Sequence, residues 1–373
     1  MEIQHDKFGP EIVVETYDPE TETRGILVID NIALGPGKGG IRMSPFVSVV
    51  EVSRLARGMT WKTALANLPF GGAKAGIIFD PKHRTAKEKK AAVLAFSRAI
   101  KQLVPSRYIA GPDISMGEND MAVFVKANGS LKSATGKPKN MKGLPHEYGS
   151  TGYGVAHSTK MAVDFMGWDI KKMKVAIEGY GNVGTFAHQF LEEMGAKIAA
   201  VSDSKGTICD PGGLSHEEMM RVKQKTGSVV NCPFGKKYPR RKRLPNADIF
   251  ELPVDIIITA AFPDVINKEN VNRVKAKMVV EGANISITKE AEEKLYKRGV
   301  LVLPDILASA GGVISSYAEH VGYGREKMFK MIKEKISAST KAVLEMIKKK
   351  KISPREACLA IAKERIDKAM KKR

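Results

Sequence analysis

The sequence predicts an α/β protein with two domains, of which the second is a doubly wound, Rossmann-type parallel sheet. Three observations support this fold class. The chain has 373 residues, which is enough for two domains of ordinary size. Short apolar runs alternate with helical patterns along most of the chain, as is typical of parallel sheets covered by helices. A glycine-rich turn also joins a strand-like run directly to a helical pattern within residues 174–194.

The pattern divides the chain into three parts. We expect an N-terminal α/β domain over residues 1–145, a Rossmann-type domain over 146–310, and C-terminal helices over 311–373 that pack back toward the first domain. Residues 136–149 are rich in Gly, Pro and Lys and show little periodicity, so this segment is interpreted as a linker.

Four elements are predicted in the first domain. Residues 25–30 form an apolar strand, and a helix over 49–67 begins with an S-x-x-E capping box at Ser48. Residues 75–81 read as a buried strand that ends at a proline, and residues 86–103 as an amphipathic helix.

The second domain is predicted from five strand-like runs separated by helical patterns. Because its strands alternate with helices, the sheet should be mainly parallel. After it, the last 50 residues show apolar positions at helical spacing. The predicted strands are 174–178, 198–203, 254–259, 277–281 and 300–304.

Composition excludes several classes of protein. The N-terminus lacks the basic and apolar stretches of a secretory signal, and no apolar run approaches the roughly 18–20 residues that span a membrane. The three cysteines form neither a CxxC pair nor a metal-ligand cluster with histidine, so we expect reduced thiols, no metal site and a cytoplasmic location. The net charge of +20 raises the possibility of nucleic-acid binding. Its densest knot, residues 236–243, reads instead as an exposed basic loop.

The glycine-rich turn has the form G-x-G-x-x-G. Gly179 permits a tight turn, Gly181 lets the backbone approach a pyrophosphate, and Gly184 lets the following helix sit close to the strand. The helix N-terminus then offers free N–H groups to the phosphates. A purely structural glycine turn is the alternative, but the strand before the motif and the helix after it favour a dinucleotide site.

A carboxylate at the end of the next strand supports the same interpretation. Asp203 follows Gly179 by 24 residues, where an acidic side chain would bind the adenosine ribose hydroxyls. Asp203 favours NAD because it would repel a 2′-phosphate. Ser204 and Lys205 could nevertheless accept such a phosphate, so NADP stays open.

Three lysines and one aspartate are the candidate reactive groups of the first domain. Lys38 and Lys74 are expected in glycine-rich loops, and Lys62 lies beside the apolar face of its predicted helix. Asp113 follows a Gly-Pro pair. The simpler alternatives are a snorkelling surface lysine at 62, backbone roles for the glycine-rich segments and a turn cap at Asp113.

Taken together, these segments resemble the glutamate/leucine/phenylalanine/valine dehydrogenase family from about residue 20 to about residue 325. The order of a catalytic domain before a dinucleotide domain is also that of the family. The motifs that carry the resemblance are GPGKGGIRMSP, MTWK, PFGGAKAGI, GPD, STGYG, GYGNVG, VSDSKG, VVEGAN and LPDILASAGGV.

The resemblance implies a role for each site residue. Lys62 would hold the substrate α-carboxylate, Lys74 would polarise the developing carbonyl and activate water, and Asp113 would move protons on the substrate amine. The cofactor, NAD or NADP with NAD favoured, would be bound by Thr151, Gly179, Gly181, Asn182, Val183, Gly184, Asp203, Ser204 and Asn284.

Substrate choice is also implied by the resemblance. Lys38 and Ser316 stand where glutamate-specific members bind the second carboxylate, which favours oxidative deamination of L-glutamate to 2-oxoglutarate and ammonia. The segments 33–36 and 319–326 look more like branched-chain enzymes, so a leucine- or valine-type dehydrogenase is the alternative. Ser309, where the family usually has asparagine, also leaves a divergent regulatory paralogue open. A homo-oligomer, expected to be a hexamer, follows from the family, whereas membrane and nucleic-acid partners are not expected.

Overall fold

The computed structural model describes residues 3–373 and divides the chain into two compact units. The first unit contains the chain up to Tyr148 together with Val313–Met331 and Leu359–Arg373. The second unit contains Gly149–Gly312 and Ile332–Cys358. The C-terminal helices therefore contribute to both units.

A six-stranded mixed sheet forms the centre of the first unit. Its strands lie in the order β1-β2-β5-β3-β6, and β4 pairs with β5. The β1–β2 and β2–β5 pairs are antiparallel, whereas β3 and β4 run parallel to β5. The strands are β1 Ile12–Asp18, β2 Thr23–Asn31, β3 Gly37–Lys38, β4 Ile41–Met43, β5 Gly71–Ile78 and β6 Tyr108–Ile109, and the helices are α1 Val49–Leu65, α2 Ala86–Ala99 and α3 Glu118–Asn128.

Strand β2 is apolar at consecutive positions because both of its faces are buried. Leu27 and Ile29 belong to one buried cluster, whereas Ile26 and Val28 belong to a second that includes Val52 and Ala56 of α1. Successive side chains of a strand point to opposite faces, so helices cover both faces of the sheet. Packing on the two faces of the sheet fixes the position of β5, the central strand.

The second unit is built on a seven-stranded sheet in the order β10-β9-β8-β7-β11-β12-β13. Strands β8, β7, β11, β12 and β13 are parallel, and β9 and β10 are an antiparallel extension. The strands are β7 Lys174–Glu178, β8 Lys197–Asp203, β9 Gly206–Cys209, β10 Lys242–Leu244, β11 Ile256–Thr259, β12 Met278–Glu281 and β13 Leu301–Leu303.

Helices complete both units. The helices between residues 150 and 308 are α4 Ser150–Phe165, α5 Asn182–Glu193, α6 His216–Thr226, α7 Lys289–Lys297 and α8 Asp305–Ala308. Three more follow, namely α9 Gly311–His320, α10 Arg325–Lys350 and α11 Pro354–Met370. Within residues 3–373, none of the helices is both long and apolar enough to cross a membrane.

The predicted fold class is confirmed, and each predicted strand and helix is present with shifts of up to four residues at its ends. Because β5 begins at Gly71 and β3 ends at Lys38, Lys74 and Lys38 lie on strands and not in the expected loops. Two further local interpretations need correction. The segment 136–149 is not a free linker, because Lys137 is buried within the first unit. The basic knot is not wholly a loop either, since its end forms the edge strand β10 and Arg241 is buried in an ion pair with Glu218.

Candidate active site

Two predicted residues of the first unit, Lys74 and Asp113, are in direct contact. Lys74 lies on the central strand β5, and its Nζ is 3.0 Å from Oδ2 of Asp113. The Lys74 side chain is only 9% exposed and that of Asp113 is 22% exposed. The pair is therefore largely removed from bulk water, where charge–charge interactions are strongest.

Arg42 is a third member of this cluster, which the sequence patterns did not single out. Its Nε donates to the same Oδ2 of Asp113 at 2.9 Å, and its Nη1 contacts Glu51 in the first turn of α1. Burial alone would raise the pKa of Asp113, but Lys74 and Arg42 outweigh it and hold the pKa below its ordinary value.

The pKa of Lys74 is lowered. Burial of the ammonium is the main cause, and Arg42 adds to it, whereas Asp113 and Glu51 oppose it. A lysine with a lowered pKa gives up its proton more readily than an ordinary lysine, which is the property that a general base requires.

Lys38 lies on the short strand β3, between β5 and β6. Its Nζ donates to the carbonyl of Ala110 at 2.5 Å and to that of Ile109 at 3.3 Å. A Cβ at Gly111 would stand 2.7 Å from this Nζ, so glycine at 111 leaves room for the ammonium. Burial, partly offset by Glu319, lowers the pKa of Lys38 to about 7.

The two other substrate candidates belong to the same unit. Lys62 is buried in the last turn of α1, so it is not the snorkelling surface lysine that its spacing alone would suggest. Helix α1 packs closely on β5, because a Cβ at Gly72 would lie 2.1 Å from the nitrogen of Thr60. Ser316 lies half-buried on α9.

Glu319, on the same helix as Ser316, is a further buried charge that sequence patterns did not single out. It forms an ion pair with Lys137 in which both side chains are almost fully buried. Its partner is 182 residues away in the sequence. No local spacing rule connects residues so far apart, which is why this pair could not be found from one sequence.

In the second unit, the three motif glycines have the predicted geometry. Gly179 has a φ of +89°, which favours glycine. A Cβ at Gly184 would stand 1.9 Å from the carbonyl oxygen of Gly179, so the helix does approach the strand end closely. A Cβ at Gly181 would meet nothing within 4 Å, which leaves open space in front of this backbone.

The start of α5 completes this arrangement. The helix begins at Asn182, continues through Val183 and Gly184, and has no side-chain cap at Gly181. A helix N-terminus that follows a glycine turn, with open space beside Gly181, fits the pyrophosphate of a dinucleotide. These residues therefore fit the cofactor that the motif predicts.

Asp203 ends β8, next to β7 in the parallel part of the sheet, but its carboxylate has partners that were not predicted. It accepts hydrogen bonds from the hydroxyl of Ser228 at 2.9 Å and from the N–H of Val229 at 2.7 Å. The N–H of Lys205 donates to it at 2.9 Å, while neighbouring Ser204 is exposed. Asp203 thus anchors the segment at 228–229.

The remaining cofactor candidates lie at the start of α4 and after β12. Thr151 is in the first turn of α4. Asn284 lies in the loop between β12 and α7, which Glu281 anchors by accepting from the N–H of Ile287 and the hydroxyl of Ser286, both at 3.0 Å. Burial raises the pKa of Glu281 to about 8, and Asp305 adds to this shift.

Comparison with known proteins identifies relatives along nearly the whole chain. Residues 10–129 match the family model described as "Glu/Leu/Phe/Val dehydrogenase, dimerisation domain", and residues 143–373 match "Glutamate/Leucine/Phenylalanine/Valine dehydrogenase". The chain is 42% identical to a glutamate dehydrogenase of Aeropyrum pernix, over 92% of this chain and 85% of the relative.

Relatives named for different cofactors are similarly close. An NADP-specific glutamate dehydrogenase of Saccharolobus shibatae is 40% identical over 92% of this chain and 83% of the relative. An NAD-specific glutamate dehydrogenase of Staphylococcus aureus is 35% identical over 92% of this chain and 84% of the relative.

A solved structure agrees with these relationships. The hetero-hexameric glutamate dehydrogenase of Thermus thermophilus, in its Leu-bound form, superimposes with a TM-score of 0.85 at 29% identity, over 96% of this chain and 89% of that chain. The chain therefore belongs to the glutamate/leucine/phenylalanine/valine dehydrogenase family.

Proposed function

We propose that this chain is an NAD(P)-dependent glutamate dehydrogenase, which converts L-glutamate to 2-oxoglutarate and ammonia. The observation that carries the proposal is the ion pair of buried Lys74 with Asp113, together with the buried Lys38 on the neighbouring strand β3. Membership of the family and 35–42% identity to glutamate dehydrogenases over most of the chain support it. The branched-chain alternative is not favoured by these relatives.

The proposed chemistry assigns one task to each group. The nicotinamide supplies the acceptor for the hydride that leaves Cα of the substrate. Asp113 takes a proton from the substrate amine, and neutral Lys74 removes a proton from the water that attacks the resulting imine carbon. Asp113 then returns its proton to the nitrogen of this carbinolamine, the C–N bond breaks to release ammonia, and the hydroxyl gives its proton to Asp113 as the carbonyl forms. Lys74 suits this role because its pKa is lowered, and Asp113 suits its role because its lowered pKa keeps it ionised.

Substrate binding is assigned to three further residues of the first unit. Lys62 would bind the α-carboxylate, while Lys38 and Ser316 would bind the γ-carboxylate. A buried ammonium such as Lys38 costs several kcal/mol of desolvation unless an anion compensates it. An acidic side chain supplies that anion, whereas leucine would leave Lys38 unpaired.

The cofactor is assigned to the second unit. Gly179, Gly181, Asn182, Val183 and Gly184 would hold the pyrophosphate, and Asp203 with Ser204 would hold the adenosine ribose. Thr151 and Asn284 would contact the nicotinamide half. Relatives of either specificity support NAD or NADP, and we expect NAD to be preferred because of Asp203.

The wider setting belongs to the same proposal. We propose a homo-hexamer, a cytoplasmic location supported by three free cysteines, and the domain division at 1–145, 146–310 and 311–373. The hetero-hexameric glutamate dehydrogenase of Thermus thermophilus supports an assembly of six subunits.

The test is a screen of purified protein with a panel of L-amino acids and both cofactors, followed by reduced-nicotinamide absorbance. We expect L-glutamate to be oxidised fastest. Lys74→Ala and Asp113→Asn should each lose turnover by about 10²- to 10⁴-fold while cofactor binding is retained.

Lys89→Ala and Asp120→Asn are matched controls, because these residues form a partly buried Lys–Asp pair 2.7 Å apart in the same unit. Both should keep wild-type turnover. Equal turnover in wild type, Lys74→Ala and Asp113→Asn would contradict the catalytic assignment, and faster oxidation of leucine than of glutamate would contradict the substrate.

A further inference from the structure

Glu319 is held by an unusually complete set of donors within the first unit. Its carboxylate is 2.5 Å from Nζ of Lys137, and it accepts from the N–H groups of Gly136 at 3.0 Å and Leu144 at 2.9 Å. The two side chains of the ion pair are 5% and 1% exposed. A buried pair of this kind is costly to form and strongly destabilising to break by removing one partner.

A short chain of hydrogen bonds connects this pair to Lys38. Lys137 donates through its Nζ to the carbonyl of Ala134 at 2.7 Å, and the N–H of Thr135 donates to the carbonyl of Ala110 at 3.0 Å. The Nζ of Lys38 donates to that same Ala110 carbonyl at 2.5 Å. The segment that Glu319 anchors therefore forms the support behind the Lys38 ammonium.

The charges around Lys38 come from three elements. Lys74 on β5 and Lys137 in the segment after residue 133 are cations, and Glu319 on α9 is the anion. His320, next to Glu319, has its pKa lowered by burial and by Lys38, Lys132 and Lys137, so it is neutral at physiological pH. Lys74 is paired with Asp113. With Lys38 and Lys137 protonated, the remaining three groups, Lys38, Lys137 and Glu319, carry a net charge of +1, which an acidic side chain would neutralise.

We propose that Glu319 is a positioning residue for the substrate side chain, which fixes the support behind Lys38 and supplies the negative charge that keeps Lys38 cationic. The inference rests on the proposed glutamate function, in which Lys38 binds the γ-carboxylate. Glu319 does not touch the substrate in this proposal and acts only through Lys38.

The proposal predicts how affinity for glutamate depends on pH. Burial lowers the pKa of Lys38 to about 7, Glu319 raises it, and Lys137 and Lys74 lower it further. As the pH rises through about 7, Lys38 therefore loses its proton and its attraction for a carboxylate. Removal of the negative charge at 319 should shift this loss to lower pH, and removal of the positive charge at 137 should shift it to higher pH.

The experiment compares KM for L-glutamate with KM for L-norvaline, whose side chain carries a methyl group in place of the γ-carboxylate. In the wild type, KM for glutamate should rise by up to about tenfold per pH unit above neutrality, whereas KM for norvaline should not share this rise. Glu319→Gln should raise KM for glutamate at neutral pH by about tenfold, with kcat and the norvaline KM nearly unchanged.

Three more variants make the test specific. Lys137→Gln should extend tight glutamate binding to higher pH, which is the opposite direction from Glu319→Gln. Glu319→Asp keeps the negative charge, so it should largely restore the wild-type dependence of the glutamate KM on pH. Lys132→Gln, which removes an exposed lysine of the same region, should change nothing. If Glu319→Gln does not fold, Lys137→Gln and the wild-type comparison of the two substrates still decide the matter.

Two results would overturn the inference. One is a glutamate KM that has the same pH dependence as the norvaline KM in the wild type. The other is a shift in the same direction, for both substrates, in Glu319→Gln and Lys137→Gln, since a merely structural role would act in that way. Absence of turnover with every amino acid would instead refute the proposed function itself.

Discussion

At the scale of single residues, Asp113 is distinguished by two cations on one carboxylate oxygen. Lys74 and Arg42 lie 3.0 and 2.9 Å from its Oδ2. Burial raises the pKa of Asp113, and these cations lower it to below its ordinary value. Lys74 is the proposed base, so its replacement would abolish the reaction. Arg42 is the other cation, and it can be replaced while the proposed base is kept.

We predict that Arg42→Gln raises the pKa of Asp113 and that of Lys74, because Arg42 lowers both. Each of these groups must be deprotonated to accept a proton, so the acidic limb of the kcat profile should move to higher pH. Glu51→Gln is the comparison of opposite sign, because Glu51 contacts Arg42 and raises the pKa of Lys74, so its loss should not move this limb to higher pH. A uniform fall in kcat with an unmoved acidic limb would show that Arg42 matters only for folding.

Sequence patterns identified Lys38, Lys74 and Asp113 because each lies in a short glycine- or proline-containing run that is visible locally. Arg42, Glu319 and Lys137 were not identified. Arg42 meets Asp113 across 71 residues, and Glu319 meets Lys137 across 182. Such contacts depend on sheet order and helix placement, which leave no periodic signal in one sequence.

At the scale of elements, the turn from β7 into α5 offers two glycines with opposite surroundings. We predict that Gly184→Ala destabilises the protein by about 1–3 kcal/mol, because its Cβ would stand 1.9 Å from the carbonyl oxygen of Gly179. Gly181→Ala should change stability by less than about 0.5 kcal/mol, since its Cβ meets nothing within 4 Å.

The affinity for the dinucleotide should also distinguish Gly181→Ala from Gly184→Ala. Gly181→Ala should weaken binding by roughly tenfold or more, because the methyl group fills the space through which the pyrophosphate approaches the backbone. Thermal unfolding and fluorescence titration with the reduced cofactor measure the two effects. A Gly181→Ala protein that binds the cofactor normally would remove the proposed phosphate site from this turn.

The first turn of α11 contributes Arg355 to a cluster of buried carboxylates. Arg355 forms ion pairs with Glu281, Glu292 and Asp305. We predict that Arg355→Leu destabilises the protein by about 3–5 kcal/mol, because three carboxylates would then lack their shared cation. Arg273→Leu is the control, since Arg273 and Glu251 form an exposed pair worth less than about 1 kcal/mol.

This loss should depend on pH. Burial raises the pKa of Glu281 to about 8 from an ordinary value of 4.5. Between pH 4.5 and 8, the folded state therefore keeps a proton that the unfolded chain releases. The free energy of unfolding falls as the pH rises through this window. Arg355 lowers the pKa of Glu281, so its removal widens this window. The loss, measured by urea unfolding, should be larger at pH 8 than at pH 5, and an equal loss at both would contradict this account.

Elements were predicted well where one strong pattern determines them, and poorly where packing decides. Capping signals placed the start of α1 correctly, since Ser48 accepts from the N–H of Glu51 at 3.3 Å. The edge strand β10 was missed because its basic residues are exposed and lack the alternation of a half-buried strand. Residues 136–149 were read as a linker because nothing local reveals that Glu319 anchors them.

At the scale of the whole molecule, the proposed substrate residues belong to one compact unit and the proposed cofactor residues to the other. The alternation of strands and helices predicted the five parallel strands of the second sheet but only β2 and β5 of the first, whose mixed topology was not predicted. The sequence could not predict that α10 and α11 each contribute to both units. The spacing of apolar residues shows which face of a helix is buried, but it does not show which part of the protein that face packs against.

This separation leads to a prediction for ligand-induced stabilisation. A ligand at 100 times its Kd stabilises the folded state by about 2.7 kcal/mol. We expect the reduced cofactor to raise the melting temperature of wild type and Lys38→Leu equally, and that of Gly181→Ala much less. A high concentration of 2-oxoglutarate should raise the melting temperature of wild type and Gly181→Ala equally, because Gly181 lies in the other unit. It should raise that of Lys38→Leu much less, because Lys38 belongs to the proposed 2-oxoglutarate site. If Lys38→Leu abolished the cofactor effect, or Gly181→Ala the 2-oxoglutarate effect, the assignment of one ligand to each unit would be wrong.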